Sequence, residues 1–244
     1  MVIVFVVTAI AAVIIGAIVH YNKKEGERTE MLRRLAERLG LRFTPKHHTL
    51  PGRVSDMADF ARGHSRYAYN TLHGPLRVGS VTLDVQAGDY HFAVTRSNGK
   101  SSSTQHYNLS YLAVRVGLPG TPRVTLRREG FFDTVSAAFG FNDIDFESAE
   151  FSRKFHVSSS DKRFAYDLLH PRAIELLLDE CPNRLDLRGE WLCLTNKDKR
   201  WEVDEFAGWL VWLERFVNLW PDHMDDLPEV SSPATATGAA TWKD

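Results

Sequence analysis

The chain has few cysteines, almost no net charge and no long apolar run beyond its first residues, and each shortage excludes a class of protein. Two cysteines, Cys181 and Cys193, are too few for a disulfide framework, and neither belongs to a Cys-x-x-Cys pair. A formal net charge of −1 argues against a nucleic-acid-binding protein. Hydrophobic residues make up 43% of the chain and charged residues 25%, which is typical of a folded domain. We therefore expect both cysteines to be structural core thiols.

Motifs that carry known chemistry are also missing. The chain has no Gly-x-x-x-x-Gly-Lys loop, no Gly-x-Gly-x-x-Gly turn and no paired histidines at metal-binding helical spacing. The segment that begins at Gly63 does not complete a Gly-x-Ser-x-Gly nucleophile motif. The sequence therefore predicts no cofactor, and it favours a non-enzymatic protein over an enzyme.

One long apolar run is present, from Val2 to Val19, without a charged or strongly polar side chain. A helix of this length would cover roughly 27 Å, close to the hydrocarbon thickness of a bilayer. The run predicts a single transmembrane anchor over residues 1–22. A cleaved signal peptide is the alternative, but no basic residue precedes the run and Ile18 to Asn22 make a poor cleavage site.

The flanks of the run predict its orientation. Six basic residues follow the run closely, whereas only the α-amino group precedes it: Lys23, Lys24, Arg28, Arg33, Arg34 and Arg38. The positive-inside rule then places the N-terminus outside and the C-terminal body in the cytoplasm. The sequence thus predicts a single-pass protein of the bacterial inner membrane.

The body is expected to be an α+β domain, with an antiparallel sheet packed by helices. Residues 23–44 form a juxtamembrane amphipathic helix and linker, and 45–222 form the cytoplasmic domain, which is either one unit or two lobes, 45–148 and 149–222. Alternating residues between Tyr67 and Leu126 predict a meander of about four to six strands. Asn98-Gly99 predicts a hairpin that joins Phe92–Val94 to the region from Tyr107 to Val114.

The second half predicts a different succession of elements. A strand is expected over Phe151–Val157, two helices over Lys162–Leu169 and Arg172–Leu178, and a hairpin at Gly189-Glu190. A long amphipathic helix follows over Val203–Trp220, with Phe206, Leu210, Leu213 and Val217 on its buried face and Trp212 on the opposite, exposed face. Residues 223–244 are expected to be a disordered tail.

An acidic segment offers the only metal candidates. Asp143, Asp145 and Glu147 alternate along the chain and supply the oxygen ligands that hard cations prefer. An EF-hand would require Gly at Ser148 and Glu at Lys154, so that motif fails. Phenylalanines interleave with the acids, which is typical of a segment pinned to a core.

Three segments carry a resemblance to a known family: the helix Arg33–Leu41, the run Gly140–Glu147 and the segment Glu150–Phe155. They resemble a bacterial family of membrane-anchored proteins of unknown function, whose members pair one or two N-terminal transmembrane helices with such a domain. The resemblance covers about Leu35 to Leu194. It implies a bacterial membrane protein and no activity.

Three hypotheses about function follow. The first is a membrane-anchored interaction or scaffolding module with an unknown protein partner. The second is a metal-dependent, hydrolase-like enzyme that uses Asp143, Asp145 and Glu147. The third is a lipid-contacting domain in which the last helix exposes its tryptophans near the anchor.

Overall fold

The computed structural model describes residues 2–79, 81–116, 120–128, 142–196 and 198–221, without the side chains of 2–15, 18, 142 and 143. The tail expected over residues 223–244 lies outside the described residues. The elements follow one another in this order: α1 (Val2–Leu39), β1 (Arg42–Thr44), α2 (Gly52–Ser55), β2 (His64–Val78), β3 (Val81–Ser97), β4 (Ser102–Arg115), β5 (Val124–Arg128), β6 (Asn142–Asp143), α3 (Ala149–Lys154), β7 (Phe155–Ser159), α4 (Lys162–Leu168), α5 (Pro171–Asp179), β8 (Arg184–Arg188), β9 (Trp191–Thr195) and α6 (Glu205–Val217).

The described strands form one nine-stranded antiparallel sheet in the order β1-β2-β3-β4-β9-β8-β5-β7-β6. Strands β2, β3 and β4 form a long meander, and β9 continues the sheet by pairing with β4. The predicted α+β class is confirmed. Strands from 45–148 and from 149–222 belong to the same sheet.

The two faces of the sheet bury different cores. One face carries the larger core, which α1 and the helices α3 to α6 cover. The other face carries a smaller aromatic core of Tyr90, Phe92 and Tyr111, covered by the segment from Leu50 to Phe60. The segment includes the short helix α2, which buries Val54.

The predicted hairpin between β3 and β4 is confirmed, although Phe92–Val94 pairs with residues at and just before the start of the expected region, which begins at Tyr107. Phe92 pairs with Tyr107 and Val94 with Gln105, so that Asn98 and Gly99 lie in the loop. Gly99 has a φ of +82°, a conformation that glycine adopts without steric cost. Asn98 Oδ1 accepts bonds from the backbone N–H groups of Lys100 and Ser101.

A bulge in β2 bends the strand beside α1. The register between β2 and β3 shifts between Tyr69 and Leu72, and Asn70 has a φ of +51°. A Cβ atom at Gly88 would lie 2.8 Å from the backbone oxygen of Asn70. Glycine at this position therefore allows β3 to approach the bulge closely.

Helix α1 includes both the expected anchor over residues 1–22 and the expected juxtamembrane helix that follows it. The helix runs without interruption from Val2 to Leu39. Its last turns enter the larger core through Leu32, Leu35 and Ala36, although Met31 is exposed. Gly40, with a φ of +69°, follows the last residue of the helix and ends it. Over the residues that the structure describes, no helix has the length and apolar character required to cross a membrane.

The expected strand over Phe151–Val157 is wrong in its first half. Residues Ala149–Lys154 form α3, and only Phe155–Ser159 form β7. The Oγ atom of Ser148 accepts a hydrogen bond from the N–H of Phe151 and caps α3. A local hydrogen bond at the helix start therefore decides against the strand.

Helix α6 buries most of its expected face, since Phe206, Leu210 and Leu213 lie in the larger core. The expectation that Trp212 is exposed is wrong, because only 1% of its surface is accessible. Its indole N–H donates to the carbonyl oxygen of Glu180 at 2.7 Å. The hydrogen bond to the end of α5 allows α6 to bury a second face, and Val211 is exposed (55%).

Candidate functional site at the α1 junction and the adjacent sheet end

Helix α1 runs alongside β2 in the same direction, because residues further along α1 contact residues further along β2. Thr29 Oγ1 donates to Asn70 Oδ1 at 3.1 Å, and Glu25 binds Arg200, whose guanidinium contacts Tyr69. Tyr21 acts electrostatically on Tyr67. The N-terminal part of α1 therefore leaves the body at the end of the sheet where β2 begins and where the β3–β4 hairpin lies.

A buried ion pair fixes α1 to the middle of strand β3. Arg28 holds Asp89 with two hydrogen bonds, from Nε at 2.8 Å and from Nη2 at 2.7 Å. Its Nη1 donates to the carbonyl oxygen of Trp201 at 2.8 Å, and Ser110 Oγ donates to Asp89 at 2.9 Å. The Asp89 side chain is fully buried. Since each group has partners, the pair determines where α1 lies on the sheet.

A second ion pair lies one helical turn closer to the N-terminus. Arg200 contacts both carboxylate oxygens of Glu25 at 2.7 Å. The hydrogen bond from Arg200 lowers the pKa of Glu25, in spite of partial burial, and that bond also raises the pKa of Arg200. Burial, with a further contribution from the Asp89 charge, raises the pKa of Tyr69, so that this phenol stays protonated.

Beyond these pairs, a row of aromatic and imidazole rings crosses the sheet, and we call it the ring row: His47, Tyr67, His91 and His106. Successive ring centroids lie 3.8, 4.7 and 5.3 Å apart, and each pair is stacked. The row extends from the segment before α2 across β2 and β3 to β4. His47 and His106, at its two ends, are exposed.

Hydrogen bonds determine which ring nitrogens of His91 and His106 donate and which accept. Asn108 Oδ1 accepts from Tyr69 Oη at 3.1 Å and lies 3.1 Å from His91 Nδ1, which must therefore donate to it. His91 Nε2 then accepts from His106 Nδ1 at 3.3 Å. In this tautomer Nε2 of the exposed His106 is an acceptor.

The end of the sheet beyond the ring row carries cations without acids. No Asp or Glu occurs between Asp59 and Asp84 or between Asp89 and Glu129. We define the sheet end as the β3–β4 hairpin tip (residues 95–104), the ring row, and the basic residues Lys46 and Arg66. Its cations, all exposed, form no ion pair with a carboxylate of the described residues: Lys46, Arg66, Arg96 and Lys100.

Sequence reasoning missed the sheet end, because its residues come from three separated segments. The absence of acidic residues between Asp89 and Glu129 is the one signal that could have indicated it. The row of stacked rings has no such signal, since it depends on the register that places Tyr67 opposite His91 and His91 opposite Asn108.

The predicted metal candidates lie elsewhere, near α3 and α5. Asp143 belongs to β6 and its backbone pairs with Ser158, but its side chain lies outside the description. Asp145 and Glu147 are exposed and line the same cavity. In the part of the chain that the structure describes, no three His, Cys, Asp or Glu side chains are grouped to hold a metal ion.

That cavity, of about 730 Å³, falls within the usual range for small-molecule sites. Tyr166, at its wall, donates a hydrogen bond to the backbone oxygen of Asp145 at 3.1 Å. The cavity can accommodate an apolar group beside three carboxylates. Its lining residues are Asp145, Phe146, Glu147, Ser148, Tyr166, Leu169, His170, Pro171, Ile174, Glu175 and Leu178.

Both cysteines are buried and carry no bridge. Burial raises the pKa of the Cys181 thiol to about 12 and that of Cys193 well above its ordinary value. Because the thiolate is the reactive form, these groups are inert at neutral pH. They are core residues, as the sequence predicts.

Comparison with known proteins finds a solved structure of similar fold. No protein-family model matches the chain, and no curated protein matches it. Among solved structures, the chain is similar to the crystal structure of the mycobacterial trehalose monomycolate transport factor A, TtfA, with a TM-score of 0.57. The sequences are 11% identical, and the match covers 79% of this chain and 96% of that one. At this identity the likeness shows a shared fold.

Proposed function

We propose that this protein is a membrane-tethered, non-enzymatic interaction domain with a lipid-related, transport-associated role. The observation that carries the proposal is the continuity of α1, which extends from the apolar run Val2–Val19 into the core of the body. A tether that ends in a flexible linker leaves its domain free to turn. This helix instead continues into two bidentate ion pairs, Arg28–Asp89 and Glu25–Arg200.

The fold likeness supports the second part of the proposal. The structurally similar protein is, by its title, a trehalose monomycolate transport factor. A domain of this fold, held at a membrane and without a known catalytic motif in its sequence, suits an accessory factor that positions other components. We include a bacterial inner-membrane location in the proposal, with the N-terminus outside and the body in the cytoplasm, because the basic residues follow the apolar run.

The tryptophans of α6 do not support lipid contact through that helix. Trp212 is buried and hydrogen-bonded, and Trp209 packs partly buried against the larger core. Lipid contact is therefore assigned to the tethering helix and not to α6.

Flotation of the full chain with lipid vesicles after an alkaline carbonate wash tests the tether. The wild-type chain should float with the vesicles, whereas Ile10→Asp combined with Ile14→Asp should remain at the bottom of the gradient. Each carboxylate in the centre of a span costs about 2.5–3.5 kcal/mol of insertion free energy. Val211→Asp, which adds a charge at an exposed valine of α6, is the control and should float. Release of the wild-type chain by carbonate would contradict the proposal.

Crosslinking in native membranes tests the interaction role. Pull-down of the crosslinked wild-type chain should recover a defined membrane partner, and the Ile10→Asp/Ile14→Asp chain should lose it. Recovery of the same partner by both chains would show that the tether does not position the domain for binding.

A further inference from the structure

We infer that the sheet end binds the phosphate groups of anionic phospholipids in the membrane that holds α1. The inference rests on the proposed tether and assigns a ligand to the surface beside it. The first argument is position. Because α1 and β2 run in the same direction, the sheet end is the part of the body that lies beside the run Val2–Val19.

The length of the hairpin strengthens this argument. His91 and Asn108 pair at the level of Tyr67, and the β3–β4 ladder continues from there to Ser97 and Ser102. Six residues beyond His91 extend the strand by about 20 Å. The hairpin therefore projects from the ring row on the same side of the body as the N-terminal part of α1, which carries the apolar run Val2–Val19.

The second argument is charge. The sheet end contains no acidic residue, and Arg66, Arg96, Lys46 and Lys100 are exposed without a carboxylate partner among the described residues. On α1, Glu27 faces Lys23 at 3.9 Å, and Lys24 adds a further exposed cation. Basic residues near an anionic leaflet raise binding by about fivefold each. An unpaired set of cations on the side of the body from which the tethering helix leaves is therefore complementary to anionic lipid.

The third argument is hydrogen bonding. The hairpin carries exposed hydroxyl donors close to its cations, including Ser102 and Ser103. The ring row adds Tyr67, of a residue type enriched at membrane interfaces, and histidines with a polar edge. Phosphate oxygens accept bonds from each of these groups.

The test uses the full chain with an environment-sensitive fluorophore attached at Ser101→Cys. The native cysteines Cys181 and Cys193 are buried, so that the new thiol is labelled selectively. The chain is inserted into vesicles of phosphatidylcholine alone or of phosphatidylcholine mixed with phosphatidylglycerol. A label at Arg172→Cys, on the exposed side of α5, is the control position.

We expect a blue-shifted emission and several-fold weaker quenching by a water-soluble quencher at Ser101→Cys in the anionic vesicles only. High salt or Arg96→Glu/Lys100→Glu should abolish both changes. The matched reversal Lys162→Glu/Arg163→Glu, at exposed positions of α4, should leave them intact.

Two outcomes would overturn the inference, and they differ in what they imply for the tether. If the chain floats with vesicles but the label responds equally to neutral and anionic lipid, only the headgroup site fails. If the chain does not float, the tether fails together with the site.

Discussion

The α1 junction and the sheet end lie next to each other on β2, β3 and β4, yet they use charge in opposite ways. The α1 junction comprises the ion pairs Arg28–Asp89 and Glu25–Arg200. At the junction, Arg28 and Arg200 each bind a carboxylate through two hydrogen bonds, and the Asp89 side chain is fully buried. At the sheet end, Arg96 and Lys100 are exposed and have no acid within reach among the described residues. Paired and buried charges determine a position, whereas unpaired and exposed charges leave binding capacity for a partner.

This difference explains why the two regions should respond differently to mutation. Removing one member of a buried ion pair lowers the stability of the fold, because the other charge remains desolvated and unpaired. An exposed cation keeps its hydration in the free protein, so its removal costs almost nothing until the partner is present.

The largest expected effect is at Asp89. Asp89→Ala leaves Arg28 partly buried without its carboxylate and should lower the free energy of unfolding by about 3–5 kcal/mol. Asp84→Ala, at an exposed position of the same strand, is the control and should stay within about 0.5 kcal/mol. Denaturant unfolding of the full chain in detergent measures both values. Equal losses would mean that the Arg28–Asp89 pair does not hold α1.

A smaller effect is expected at Gly88, beneath the bulge that shapes the junction. Gly88→Ala places a methyl group 2.8 Å from the Asn70 oxygen and should cost about 1–3 kcal/mol through backbone displacement. Gly26→Ala is the matched substitution on α1, where no atom lies within 4 Å. It should stabilise the helix by about 0.5–1 kcal/mol. A neutral Gly88→Ala would show that β2 does not approach β3 closely.

The Glu25–Arg200 pair predicts a pH effect. The hydrogen bond from Arg200 lowers the pKa of Glu25 below its ordinary value of 4.5, so the folded state binds this proton less readily than the unfolded state. The contribution to stability is therefore present above pH 4.5 and is lost as the pH falls through the lowered pKa. Glu25→Gln should flatten this part of the melting-temperature profile. An unchanged acid slope would exclude the pair as its source.

The smallest effect is expected at the sheet end. Arg96→Ala and Lys100→Ala should each change the free energy of unfolding by less than about 0.5 kcal/mol, because both side chains are exposed and unpaired. Thermal melts in detergent measure this. A loss above 1.5 kcal/mol would identify a structural role and remove the contrast with the junction.

The sequence predicts most of the fold, because its local patterns are strong. Alternation over β2 to β4, Asn98-Gly99 at the hairpin, Pro171 at the start of α5 and the apolar face of α6 all lead to the observed elements. The errors come from tertiary context. The Ser148 cap converts the start of an expected strand into α3, and the bond from Trp212 to Glu180 buries a residue placed on the exposed face.

The candidate site is predicted far less well. Arg28 and Asp89 are 61 positions apart, and no local sequence pattern near either residue predicts that they pair. The acidic segment, the densest cluster in the sequence, brings Asp145 and Glu147 to one cavity without forming a metal-binding group in the described part of the chain. Local clustering is thus a poor guide, whereas the acid-free stretch between Asp89 and Glu129, which includes all of β4, could have indicated the sheet end.

Amide hydrogen exchange of the full chain in lipid nanodiscs tests the central claim most directly, namely that one helix joins the membrane segment to the sheet. The account predicts slow, uniform exchange across residues 19–31, because each amide donates to a carbonyl within an unbroken helix that Arg28 and Glu25 fix to the body. Fast exchange confined to residues 20–26, between a protected membrane segment and a protected body, would show a flexible linker and contradict the account.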